Sequence, residues 1–374
     1  MVVARVEADQ IRSLTGVSFE PDPGLTVIIG PNGAGKTNLV EAIYFGLTSR
    51  SFRTSDRRDL IPFGSSYARC KVRVRGGGVD HVFMASASRS EGNRFNMDGA
   101  RIEQAEAVLH RPMVTVFSPD RLDLVKGPPA GRRAHIDSFV SARWPSRTGV
   151  RTTFGRILAQ RNALIARISN GQADSSQLST WNMQFAEAGS ALARSRQEAI
   201  LELAPRWVEA AGELGLEGPK DLEYRPGSAT SSEQILSGLE EKLENDLRLG
   251  RTSWGPHHDE VRLDMDGRQL RRFGSQGQQR LGLLALLFAE RAALLEAGGS
   301  PPLMLLDDVM SELDERRRTH LVDRLLEGGQ SVITAAEGEL IPERPGITRV
   351  AITELTSSPG EEPSSSDELP GRST

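Results

Sequence analysis

Residues 30–37 read GPNGAGKT, which satisfies the phosphate-loop pattern G-x-x-x-x-G-K-[ST] at every fixed position. Ahead of it stands Leu25-Thr26-Val27-Ile28-Ile29, a β-branched apolar run bounded by Pro23-Gly24, the pattern of a buried parallel strand. Behind it, Thr37 to Leu47 carries apolar residues at Leu39, Val40, Ile43, Tyr44 and Leu47, which is helical spacing. A glycine-rich loop between strand and helix turns successive N–H groups toward an anion at the helix N-terminus. The expectation is an ATP pocket made by Gly30, Pro31, Asn32, Gly33, Ala34, Gly35, Lys36, Thr37 and Asn38. Lys36 would reach the β- and γ-phosphates, and the Thr37 hydroxyl would hold Mg²⁺.

Outward from this loop, residues 1–117 read mainly as strands around one helix. Ala68, Cys70, Val72 and Val74 alternate with Arg69, Lys71, Arg73 and Arg75, so one sheet face is apolar and the other cationic. Gly76-Gly77-Gly78 and Asp98-Gly99 are hairpin signals. Residues 118–249 change to helical stripes: Val150 to Ile168, then Trp181, Phe185, Ala188 and Leu192, then Ile235 to Leu247. Their aromatic residues read as core packing. No run of heptads is present, so a compact helical lobe is expected rather than a coiled coil. Residues 250–355 return to alternating strand and helix, with buried strands at Leu303 to Leu306 and Ser331 to Thr334 and an apolar helix at Leu281 to Leu295. Residues 356–374, rich in Ser, Pro, Gly and Glu, read as a disordered acidic tail.

The formal net charge of −4 over 374 residues gives no global attraction to nucleic acid, so any such site must be a local patch. A single cysteine, Cys70, excludes an internal disulfide and fits a reducing cytosol. The longest wholly apolar stretch, Leu281 to Ala289, is far short of the ~20 residues that span a bilayer. Arg5, Glu7, Asp9 and Arg12 break the N-terminus too early for a signal peptide. A cytoplasmic protein without a membrane partner is expected.

The second half of a hydrolytic site reads from PLMLLDDVMSELD, residues 302–314. Four apolar residues deliver Asp307 at the carboxyl end of a strand, where ligands bind in open α/β sheets. Asp307 fits the metal-coordinating role, and Asp308 fits the base that orients water toward the γ-phosphate. Lys36 and Asp308 are thus the expected catalytic pair. Upstream, FGSQGQQR (residues 273–280) is similar to the ABC signature LSGGQ, with Ser275, Gly277 and Gln278 matching and Gln276 in place of a glycine. Leu313-Asp314 matches the D-loop of that class. The fold class is therefore α/β: an ABC-type, SMC-like P-loop ATPase head with an antiparallel β subdomain and an inserted helical lobe.

The order of these motifs, with SRSFRTSDRRDLI, VFSPDRLDLVKGPPAGRRAHID, AQRNALI and GRTSWGPHHDE, resembles the RecF family, bacterial recombination and replication-repair proteins related to SMC heads. His258 and Glu260 stand where that family usually has Arg and Asp. The resemblance implies an ATP-dependent DNA-binding protein of recombinational repair and replication restart. It implies homodimerisation on ATP, with the signature loop of one head closing over the nucleotide of the other. It further implies weak DNA-stimulated ATP hydrolysis, binding to duplex and gapped or junction DNA, help to RecA with RecO and RecR, and a part in the SOS response.

Phosphate contacts need grouped Arg or Lys. Three groups are candidates: Arg50, Arg53, Arg57 and Arg58 after the loop helix; Arg69, Lys71, Arg73 and Arg75 on one strand face; and Arg132 with Arg133 beside Gly127-Pro128-Pro129. Two other functions remain open at this stage, the nucleotide-binding subunit of an ABC transporter and a P-loop kinase for a small acceptor. A helical insertion of roughly 120 residues, near the size of a separate domain, argues against the first. Motif residues 273–280 and 313–314 go unexplained by the second.

Overall fold

A computed structural model describes residues 1–118 and 122–355; the predicted tail at 356–374 lies outside the described residues. Strands β1 (Val2–Asp9), β2 (Val17–Phe19) and β3 (Leu25–Ile29) lead through the phosphate loop into α1 (Lys36–Thr48). Then come β4 (Tyr67–Gly76), β5 (Val79–Ser88), β6 (Arg94–Met97), β7 (Ala100–Arg101), the short α2 (Gln104–Ala107) and β8 (Val114–Phe117). Helices α3 (Asp123–Lys126), α4 (Pro129–Arg143), α5 (Val150–Ser169) and α6 (Leu178–Glu213) precede β9 (Lys220–Arg225). The rest is α7 (Ser232–Glu241), α8 (Leu243–Leu249), β10 (Glu260–Met265), β11 (Arg268–Gln269), α9 (Leu270–Phe273), α10 (Gln276–Glu296), β12 (Leu303–Leu306), α11 (Glu315–Leu326), β13 (Ser331–Ala335), β14 (Ile347–Ala351) and α12 (Ile352–Leu355).

A wholly parallel sheet in the order β14-β3-β13-β12-β8 carries both phosphate-loop and carboxylate strands, with β13 between them. An antiparallel sheet, β2-β1-β4-β5-β6-β7, packs its apolar face over α1. Its hairpins form as the glycines require: Gly77 and Gly78 both take positive φ, 69° and 83°, which a two-residue turn between twisted strands needs. Helix α1 is thus sandwiched between two sheets, with Leu39, Val40, Ile43 and Phe45 sharing one core with Val6, Val72 and Leu305. The other face of the parallel sheet is covered by α6, α10 and α11 around Trp207, Leu284 and Leu321.

The helical region departs from expectation in two ways. Helix α6 runs for 36 residues, about 54 Å, and its apolar stripe continues past Leu192 through Ala199, Leu203 and Trp207 to Ala211. Its first part packs on α5 in the lobe and its second part on α10, where the Trp207 indole donates to the Gly282 carbonyl at 2.9 Å. The lobe is therefore continuous with the ATPase core through one helix, which carries Pro205 in its second half. Secondly, residues 220–225, within the stretch read as helical, form β9, which pairs antiparallel with β10. KDLEYR is short and polar, and the apolar pairings Leu222–Leu263 and Tyr224–Val261 across the ladder set it on the core as a strand.

Candidate functional site

The phosphate loop leaves β3 and enters α1 at Lys36. Gly35 has φ of 98°, and a Cβ there would press on Leu14 and Ser13 at 3.2 Å, so this position requires glycine. The Lys36 ammonium is nearly buried and donates to the Gly30 and Pro31 carbonyls at 2.7 and 3.0 Å. The Thr37 hydroxyl lies 2.8 and 3.0 Å from the two Asp307 oxygens, 270 positions away in the chain. Asn38 donates to Ser13 at 2.8 Å and accepts from Arg53 at 3.0 Å.

Strand β12 brings Asp307 to the same place, its backbone N–H held by the Phe117 carbonyl at 2.8 Å. Burial pushes the Asp307 carboxyl up, opposed by hydrogen bonds from Thr334 and Thr37; the Asp308 charge raises it further and the Arg53 charge lowers it. Asp308 follows in a left-handed conformation, φ 47°, with its N–H bonded to the Thr334 hydroxyl at 2.9 Å. One Asp308 carboxylate oxygen is buried without a protein partner. Hard oxygen donors at Thr37 and Asp307 fit a Mg²⁺ ion, which needs only one or two protein ligands beside phosphates and water.

The structure does not bring the signature residues against this loop: no hydrogen bond joins Ser275, Gln276, Gly277 or Gln278 to residues 30–38 among the described residues. Ser275 instead caps α10, accepting from the Gln278 N–H at 3.2 Å while the Gln278 side chain accepts from the Ser275 N–H at 2.8 Å. Residues 275–277 face solvent. Buried Gln279, which sequence reasoning passed over, ties the loop down by donating to the Leu270 and Gly274 carbonyls. Leu313 is buried, and Asp314 caps α11 through the Arg317 N–H at 2.9 Å.

The basic groups have different fates. Arg132 is only 4% exposed; its guanidinium grips both Glu260 oxygens at 2.9 and 3.0 Å and donates to the Val125 and Gly127 carbonyls. It has no surface for a DNA phosphate, which corrects the sequence expectation: a buried guanidinium must spend its donors internally. Arg133 donates to the Asp259 carbonyl at 2.7 Å. Arg53 turns toward the phosphate loop, bonding Asn38 and the fully buried Glu41, which also receives Arg12 and Ser51. Arg57 is half-buried against Ser49, where burial and the Arg50 charge lower its pKa. Arg58 is exposed and clasps Asp56, pulling that carboxyl down to about 2. Arg69, Lys71 and Arg73 do share an exposed strand face, but β1 sets Asp9 beside Arg69 and Glu7 beside Lys71 at 3.6 and 3.7 Å. Arg73 faces Arg5 across the ladder.

Strand order, phosphate loop, adjoining carboxylates and capped signature helix define an ABC-type ATPase head. The RecF/RecN/SMC N-terminal domain matches residues 2–356. A DNA replication and repair protein RecF from Streptomyces avermitilis is 33% identical, covering 95% of this chain and 99% of the relative; its counterpart from Moorella thermoacetica is 35% identical over 89% of each. The chain therefore belongs to the RecF family of DNA replication and repair proteins. A solved RecF in its ATP form, described as a recombination mediator of the RecFOR pathway, superposes with a TM-score of 0.80 at 26% identity, covering 94% of this chain and 95% of that one. An SMC head bound to the C-terminal winged-helix domain of ScpA shares the fold at a TM-score of 0.57 and 16% identity, covering 94% of each chain. Neither the transporter nor the kinase alternative draws support from these relatives. Among the described residues no helix is long and apolar enough to cross a membrane.

Proposed function

We propose that this chain is an ATP-switched DNA-binding ATPase of recombinational repair and replication restart, acting as a homodimer in the cytoplasm. The observation that carries the reading is the meeting of Thr37 and Asp307 beside the phosphate loop. Those two residues would hold Mg²⁺, Lys36 and the loop N–H groups of residues 30–38 would hold ATP, and Asp308 would orient water. When bound, Mg-ATP supplies a γ-phosphoryl group open to in-line attack, with its charge offset by the metal. Lys36 would exchange its two loop carbonyls for phosphate oxygens, since an ammonium gains more from an anion than from neutral acceptors.

Ser275 and the α10 N-terminus face solvent, so their anion-binding N–H groups suit a nucleotide held by a second copy, with the D-loop at Leu313-Asp314 beside them. Dimerisation on ATP, slow hydrolysis and release follow from such a shared site. DNA, duplex or gapped, would lie along Arg57, Arg58, Arg69, Lys71 and Arg73, with Arg53 linking that surface to the loop. Arg133 contributes through its remaining donors, and Arg132 is excluded. A solved relative named for the RecFOR pathway supports RecR and RecO as partners, while RecA as a partner and a part in SOS induction rest on the family resemblance alone. Phosphate release with and without gapped DNA tests the reading. A DNA-dependent rise that Lys36→Met abolishes is expected, and a rate indifferent to DNA would contradict it.

A further inference from the structure

Thr334 occupies the position of β13 level with the mouth of the site. It is fully buried, and β13 is hydrogen-bonded on one side to the phosphate-loop strand β3, where Thr334 pairs with Ile28, and on the other to the carboxylate strand β12. A buried position between two parallel strands ordinarily favours Val or Ile, because an unpaired hydroxyl there is costly. This hydroxyl is paired twice, and both partners belong to the site. It donates to the Asp307 carboxylate at 2.7 Å and accepts the Asp308 backbone N–H at 2.9 Å.

Both bonds matter to what the carboxylates do. Asp307 is gripped by two hydroxyls, Thr37 from the loop side and Thr334 from the sheet side, so its orientation is set from both strands. Asp308 sits at φ 47°, a conformation uncommon for a residue with a side chain, and the Thr334 acceptor meets its N–H in that conformation. A β-branched side chain on a strand fixed at both edges has little rotamer freedom, so the hydroxyl is already aimed. We infer that Thr334 is a positioning residue for the ATPase site, one hydroxyl fixing both the metal-ligand carboxylate and the turn that aims the water-orienting carboxylate. The inference rests on the ATPase reading above.

Thr334→Val keeps size and branching and removes the hydroxyl; Thr334→Ser keeps the hydroxyl. In the nucleotide-free protein the Asp308 amide should exchange with solvent faster in the Val variant and return to the wild-type rate in the Ser variant. In turnover, Val should lower kcat about tenfold or more with KM for ATP within about threefold, the loss expected for a hydrogen bond to a charged group. The Mg²⁺ concentration for half-maximal binding of a fluorescent ATP analogue should rise in parallel, and Ser should restore both. If Val lowers the melting temperature by more than a few degrees, Thr334→Cys, similar in size and a weak hydrogen-bonding group, carries the comparison. Unchanged amide exchange with kcat within twofold of wild type in the Val variant overturns the inference, as does a loss that Ser fails to rescue. Absence of turnover in the wild type would overturn the ATPase reading alone, because amide exchange and Mg²⁺ dependence still decide the role of Thr334.

Discussion

The Thr37 hydroxyl and the Asp307 carboxylate lie 2.8 Å apart at the shorter of their two contacts, a direct side-chain link between the phosphate loop and the residue that ends the acid-bearing strand. Everything proposed for the site depends on that juxtaposition, because it brings two oxygen donors together beside Asp308, the next residue in the chain.

Lys36→Met and Asp308→Asn separate binding from turnover. The first removes the ammonium that otherwise satisfies the Gly30 and Pro31 carbonyls and should abolish ATP binding, read by fluorescent-nucleotide titration. The second keeps the loop intact; it should bind ATP as wild type does and lower kcat by about 100-fold or more, the range for loss of a general base. Normal hydrolysis by Asp308→Asn would remove the base assignment.

For DNA, reversing Arg57 and Arg58 to Glu should weaken binding and flatten its dependence on salt, each lost phosphate contact lowering the log–log slope by about one. ATP affinity should not change. Arg132→Ala is the matched control: breaking its buried pair with Glu260 should cost about 3 kcal/mol in urea unfolding and leave the salt slope of the remaining folded protein alone. A flattened slope in Arg132→Ala would contradict the buried assignment.

Acid should reveal His257. Burial between Phe154 and Phe185 lowers its pKa to about 4, with the His258 and Arg133 charges adding to the effect and a bond to the Thr252 carbonyl opposing it. The unfolded chain takes up this proton near pH 6.5 and the folded chain only near pH 4. Between those values the unfolded state binds more protons, so stability is full above the unfolded pKa and falls as the pH drops, by up to about 3 kcal/mol from this group. His257→Gln should flatten the stability profile between pH 6.5 and 4.5 relative to wild type. Parallel profiles would show that the ring is solvated.

Much of this was legible in the chain because the decisive signals are local. A strand, a glycine loop and a helix adjoin at residues 25–48, and an apolar strand runs straight into two acids at 303–308. The resemblance to RecF proteins rested on the same kind of local match. What the sequence hid is pairing across distance. Nothing beside Arg132 announces Glu260, 128 positions on, so a buried structural cation read as a phosphate contact. Arg69 and Lys71 alternate as a cationic face, but the acids of β1 that partly neutralise them arrive from a strand sixty residues earlier in the chain by register alone. Thr334 looked like any β-branched residue of a buried strand, and Gln279 like one more polar residue of a helix start. Their roles exist only once β13 lies between β3 and β12 and the signature loop folds back on α9.

The central claim is that the ATP site is completed by a second copy. Sedimentation of Asp308→Asn with Mg²⁺, with and without ATP, tests it most directly. The account predicts a 40.8 kDa monomer without nucleotide and a dimer with it, the dimer disappearing when Ser275→Arg is added. A single monomeric species at saturating ATP, or a dimer that ignores Ser275→Arg, would contradict it.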